Sequence, residues 1–288
     1  MEPAADFFFA APQQTADLGP TRLAYRRHGS GPALLLVHGF PLSGFTWRKL
    51  LPELSRSHTC YVPDLPGLGE TEWSGDTDFT WMGQARTLKT FADQLGLERY
   101  RVIAQDTGGT FARCLASIDG ARVEKLAVIN SEMPGHRPPW IPLYQALLAL
   151  PGSLASFRLL LRSRTFLRSG LGFGGCFTDL SLIEGDFQEQ FVAALLRSPR
   201  RMQGMARYLR ELRDWSTVDQ LPEIHRQLKM PVRLIWGADD PIFPVGLARE
   251  MVKQLPNGSL TEIPGTKLLP HEEKPQEVLQ ALRSFVTG

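Results

Sequence analysis

Two kinds of segment alternate along this chain. In the first, apolar residues run almost without interruption for a few positions: residues 32–39 (PALLLVHG), 59–65 (TCYVPDL), 100–105 (YRVIAQ), 125–130 (KLAVIN), 232–240 (VRLIWGADD) and 259–264 (SLTEIP). Runs of that length predict strands, and their continuous apolar character is that of strands covered on both faces. The segment 21–29 (TRLAYRRHG) also predicts a strand. In the second kind, apolar residues recur with helical spacing, at 45–57, 79–97, 107–118, 247–255 and 275–286. Asp78 or Thr80 is placed to cap the second of these helices. Strand and helix in regular alternation predict a parallel sheet with helices on both faces.

After Asn130 the rhythm breaks. Residues 133–145 are rich in proline, and Leu- and Arg-rich helical stretches follow to Leu221 before the strand–helix pattern resumes. Residues 134–221 therefore read as a helical insertion in an α/β core built from 20–133 and 222–288. Residues 1–19 read as an extended N-terminal arm. Its ADFFFAAP stretch lacks the basic flank and apolar length of a signal peptide. Its three phenylalanines are suited to covering an apolar surface or pairing with another chain.

Composition narrows the functional classes. A chain of 288 residues accommodates one large domain with an insertion. The net charge of +2 gives no basis for binding nucleic acid or an anionic membrane. Cys60, Cys114 and Cys176 are scattered and odd in number, forming neither a disulfide framework nor a metal cluster. The expectation is a cytoplasmic protein, monomer or homodimer, needing no metal or organic cofactor.

The stretch VIAQDTGGTFA carries the most chemistry. A strand ends at Gln105, a tight turn holds Asp106, and Gly108-Gly109 opens a helix, which is the pattern of a nucleophile elbow with aspartate in the central position. A carboxylate is a poor acyl nucleophile, but it displaces a leaving group from saturated carbon and becomes an alkyl ester. Water must then cleave that ester with help from a base and an oxyanion hole. The backbone N–H groups of Phe40, in the turn His38-Gly39-Phe40-Pro41, and of Thr107 are placed to supply the hole, with His38 itself structural. Trp236-Gly237-Ala238-Asp239-Asp240 ends the strand after the insertion, where an acid can orient a histidine.

In their order along the chain, HGFP, DLPGLG, AQDTGG, WGADDPIFP and EEKPQEV resemble the α/β-hydrolase superfamily, in the branch of epoxide hydrolases and haloalkane dehalogenases. The resemblance spans nearly all of the chain after residue 20. It implies an α/β-hydrolase fold whose insertion is a substrate-selecting cap. It also implies Asp106 as nucleophile and Asp240 as the acid, with Glu132 near an alternative acid position. Two cap tyrosines that protonate an epoxide oxygen would correspond to Tyr144 and Tyr208. The substrate would be a small apolar molecule, opened from an epoxide to a diol. A carbon–halogen bond is the alternative, with Trp140 as a halide donor from the cap. However, haloalkane dehalogenases typically carry tryptophan after the nucleophile and often asparagine in the HGNP turn, where this chain has Thr107 and Phe40.

One departure is sharper. Aligned through IPG and EEKP, the family's histidine falls on Leu268. Three readings follow: His271, on the same loop, supplies the imidazole; His136, at the entry to the cap, does so or binds substrate; or there is no catalytic histidine, leaving a ligand-binding protein or a divergent catalyst. A lysine needs strong desolvation to act as a base, so Lys267 is a poor substitute.

Overall fold

The computed structural model describes residues 3–286. The described residues form nine strands: β1 (Gln14–Asp17), β2 (Thr21–His28), β3 (Ala33–Val37), β4 (Thr59–Pro63), β5 (Glu72–Trp73), β6 (Tyr100–Gln105), β7 (Val123–Ile129), β8 (Val232–Gly237) and β9 (Gly258–Ile263). They make one sheet in the order β1-β2-β4-β3-β6-β7-β8-β9, with β5 paired to β2. Pairings from β4 through β9 are parallel, and those of β2 with β1, β4 and β5 are antiparallel. The apolar runs of β3 and β6 sit in the middle, where helices cover both faces, so their leucines and valines are buried without alternation.

Helices form where the spacing predicts them. Trp81–Gln94 starts at Thr80, whose hydroxyl accepts from Gly83 N at 3.1 Å. Asp78 instead accepts from the Thr80 backbone and hydroxyl. Helices Thr107–Ile118 and Pro275–Val286 match their expected ranges. The segment 45–57 is not one helix. It divides into a 3₁₀ turn, Gly44–Trp47, and a short helix, Leu51–Leu54, because Pro52 has no N–H for the Arg48 carbonyl.

The extended arm is also corrected. Ala4–Ala10 is a helix, and Gln14–Asp17 joins the sheet beside β2. Burial drives this packing: Phe8 meets Phe45 edge-on at 5.2 Å, Phe7 stacks on His28 at 5.4 Å, and Arg26 lies over the rings of Phe8 and Phe9. Between β7 and β8 the chain builds the cap, whose principal helices are Trp140–Ala149, Ser153–Leu160 and Pro199–Glu211. No helix among the described residues is long and apolar enough to cross a membrane.

Candidate active site

Asp106 stands at the turn between β6 and the helix Thr107–Ile118, with φ 53° and ψ −131°. That conformation costs a non-glycine residue on the order of 1–3 kcal/mol, so the surroundings must hold it. Its N–H donates to the carbonyls of Ile129 and Asn130, and its own carbonyl accepts from Ser131 Oγ at 2.8 Å. Two close approaches require glycine. A Cβ on Gly108 would lie 2.2 Å from the His38 carbonyl oxygen, and one on Gly39 would lie 2.4 Å from Asp106 Cβ. The second contact brings the HGFP turn against the carboxyl group. Phe40 N donates to Asp106 Oδ2 at 2.8 Å, and the Thr107 N–H also bonds the carboxyl. His38 is structural: its Nε2 accepts from Leu65 N at 2.8 Å, and burial lowers its pKa to about 4.

The Asp106 carboxyl is buried at the floor of a cavity of about 170 Å³ beneath the cap. Burial, followed by the nearby Glu132 charge, raises its pKa well above the usual carboxylate range, against the donors of Thr107 and Phe40. Glu132 lines the same cavity and is 1% exposed. Its Oε2 accepts from Thr110 Oγ1 at 2.6 Å and lies 3.1 Å from Ser131 Oγ, whose single hydrogen it shares with the Asp106 carbonyl. Behind it lies the buried Arg113 guanidinium, bonded to Thr110, Ser131 and the Glu132 carbonyl. Burial raises the Glu132 pKa, opposed by Thr110, Arg113 and Ser131. The site thus holds two neighbouring carboxyl groups of unequal support. The resemblance places Glu132 near an alternative acid position, shortly after a buried strand.

Cap side chains close the cavity, which Trp140, Tyr144 and Tyr208 all line. The Tyr208 hydroxyl is 2.7 Å from Thr107 Oγ1, and its ring stacks on Phe40 at 5.5 Å. Burial raises the Tyr208 pKa well above its ordinary value. The Tyr144 hydroxyl donates to the Leu171 carbonyl. Both expected tyrosines and both expected oxyanion donors therefore meet at Asp106's cavity.

The expected imidazoles do not. Leu268 lines the cavity, and none of the six histidines does. His271 is wholly buried on the other side of its loop, with Nε2 2.8 Å from Thr46 Oγ1 and its ring 5.1 Å from Trp47. The turn Pro270–Glu273 directs it there, so the expectation that His271 replaces the missing base is corrected. His136 is corrected likewise: its Nε2 lies 2.7 Å from the Ile242 carbonyl and its ring packs by Phe243, outside the cavity. Asp240 has no imidazole to orient. It accepts from Asn130 Nδ2 at 2.6 Å and Ile242 N at 2.8 Å, and burial raises its pKa to about 7. Lys267 Nζ reaches the Gly174 carbonyl.

A packing role for His271 has a measurable consequence. His271→Ala is expected to lower unfolding stability by about 2–4 kcal/mol, the cost of a buried ring removed without collapse. Turnover per folded molecule should stay unchanged. Denaturation midpoints and kcat measured on the same preparation check this; a fall in kcat with stability intact would restore a catalytic role.

A mostly parallel sheet, an elbow after a central strand and helices closing over the buried elbow carboxyl define a hydrolase class. The family model for the alpha/beta hydrolase fold matches residues 32–275, and the chain belongs to that family. Haloalkane dehalogenase 2 of Mycobacterium bovis is 26% identical over 271 residues, covering 91% of this chain and 90% of its own. A soluble epoxide hydrolase from Corynebacterium sp. is 35% identical over 114 residues, 40% of this chain and 39% of its own. An alpha/beta hydrolase fold protein from Burkholderia ambifaria superposes with a TM-score of 0.81 at 24% identity, covering 94% of this chain and 97% of that one.

Proposed function

We propose that this hydrolase opens small apolar epoxides through an alkyl ester on Asp106. The observation that carries the reading is the carboxyl at the elbow, bonded to the backbone N–H of Phe40 and Thr107, in a cavity walled by Tyr144 and Tyr208. One Asp106 oxygen attacks a ring carbon, the C–O bond breaks with its electron pair passing to oxygen, and a tyrosine hydroxyl supplies the proton. Tyr208 is the better placed donor. It is fully buried, and its hydroxyl is held by Thr107, the residue next to the nucleophile. Similarity to an epoxide hydrolase and a haloalkane dehalogenase supports displacement at saturated carbon.

The leaving group separates this reading from dehalogenation. An alkoxide needs a proton and a halide does not. Tyr208→Phe is therefore expected to cut epoxide turnover roughly 10²-fold, the usual contribution of a positioned acid. Alkylation by a matched haloalkane should change far less. Diol and halide release, measured in parallel on both proteins, decide the matter; equal losses on both substrates would reduce Tyr208 to a packing residue.

A further inference from the structure

We propose that Glu132 is the base that activates water against the Asp106 ester, in the role a histidine would otherwise fill. The inference rests on the alkyl-ester reading above. It starts from the cavity wall: where an imidazole is expected there is Leu268, and Glu132 is the proton acceptor that shares the cavity with Asp106. The β6–β7 register brings it there. Gln105 pairs with Ile129, so the chain leaves adjacent strand ends at Asp106 and Asn130, and Glu132 follows two residues later.

The Glu132 carboxyl is firmly anchored. Oε2 receives the Thr110 hydroxyl at 2.6 Å and lies 3.1 Å from the Ser131 hydroxyl, and the residue's own backbone N–H also bonds the carboxyl. The side chain is almost completely buried and lines the cavity. These bonds fix the rotamer and keep the carboxyl in the cavity wall beside Asp106. Burial raises the Glu132 pKa, but the Thr110 hydroxyl and the Arg113 guanidinium behind it oppose that rise, a buried cation being support that the backbone donors of Asp106 do not include. Orienting a histidine, the role its place along the chain implied, is closed to it, because no histidine lines the cavity.

The Glu132 carboxylate takes a proton from water as the water oxygen bonds to Cγ of the Asp106 ester. The oxyanion so formed is held by the N–H groups of Phe40 and Thr107. Collapse breaks the bond between Cγ and the alkyl oxygen, and the proton on Glu132 passes to that oxygen, releasing the diol. The proton left on the Asp106 carboxyl returns through solvent to the tyrosine that gave one up in ring opening.

Glu132→Gln keeps the acceptor for Thr110 and removes the charge that raises the Asp106 pKa. The two half-reactions should then move in opposite directions. With styrene oxide as probe, quenched intact-mass measurements should show alkylation of E132Q at least as fast as wild type. Hydrolysis of the adduct should be slower by about 10²-fold or more, so that the adduct accumulates stoichiometrically. A second substitution, Leu268→His in the E132Q background, places an imidazole in the cavity and should restore diol release. Adduct hydrolysis by E132Q at the wild-type rate would overturn the inference while leaving the Asp106 ester intact. A folded E132Q that is never alkylated would overturn it too. Wild-type protein giving neither adduct nor diol with a panel of epoxides would remove the function reading and this inference together. If E132Q does not fold, Glu132→Asp serves: it keeps the charge but withdraws the carboxylate, so adduct accumulation supports the role and wild-type hydrolysis refutes it.

Discussion

Asp106→Asn protein is expected to be catalytically dead, folded, and more stable than wild type at neutral pH. Loss of the attacking oxygen should lower epoxide turnover by at least about 10³-fold and abolish the covalent adduct. The fold should survive, because the asparagine carbonyl can still accept from Phe40 N. The stability gain follows from linkage. Burial and the Glu132 charge raise the folded-state pKa of Asp106 above its unfolded value of about 3.9. The folded protein therefore binds that proton more tightly than the unfolded chain does. This contribution is fully present below the unfolded pKa and is lost as pH rises through the folded one. Asparagine does not titrate, so its advantage over wild type should be small at pH 4 and widen toward pH 8. Thermal melts of both proteins across that range test the sign; a constant difference would mean that Asp106 carries no such strain. Residual epoxide turnover in this variant would sink the alkyl-ester reading.

The second large effect lies beneath the same loop. Glu272 is 2% exposed and pairs with Arg48 at 2.6 Å and Lys49 at 3.2 Å, while the Thr46 hydroxyl also reaches it. Removing one partner of a buried pair strands the other charge, so Glu272→Gln should cost about 3–5 kcal/mol at pH 7. Burial alone would raise the Glu272 pKa, but Arg48 and Lys49 outweigh it and hold the group below its ordinary range. Its contribution is therefore present above the unfolded value of about 4.3 and fades as pH falls through the lower folded value. Urea midpoints of both proteins at pH 7 and pH 3 should show the difference shrinking in acid. A gap that persists at pH 3 would assign the loss to packing and not to charge. The same cluster accounts for His271. If Thr46 donates its hydrogen to Glu272, its oxygen is free to accept from His271 Nε2, and His271 belongs to this buried network.

Much of the fold was legible because its signals are local. The run YRVIAQ, the turn at Asp106 and the small residues Gly108 and Gly109 dictate strand, elbow and helix through contacts made by near neighbours. The helix start near Asp78 or Thr80 was legible for the same reason, and the structure assigns the cap to Thr80. The N-terminal arm was misread because AADFFFA has no strong local preference. Its helix is settled by Phe8 packing against Phe45, a contact 37 positions away in the chain. Segment 45–57 has the apolar spacing of one helix, but Pro52 divides it into a 3₁₀ turn and a short helix.

The site divides along the same line. Asp106 and the two N–H donors lie in motifs that carry their own turns, whereas Tyr144 and Tyr208 were expected only from the resemblance; all of them line the cavity. The direction of His271 was not, because three residues of separation from Leu268 say nothing about which side of a loop faces the cavity. Pro270 starts a short turn that sends the ring down onto Trp47. Sequence alone thus determined an α/β-hydrolase chain with an aspartate at the elbow and leucine where a histidine was expected. Tertiary structure alone decided that no histidine enters the cavity and that Glu132 shares it with Asp106. Strand register and loop direction set which side chains meet, and both arise from packing between segments far apart in the chain.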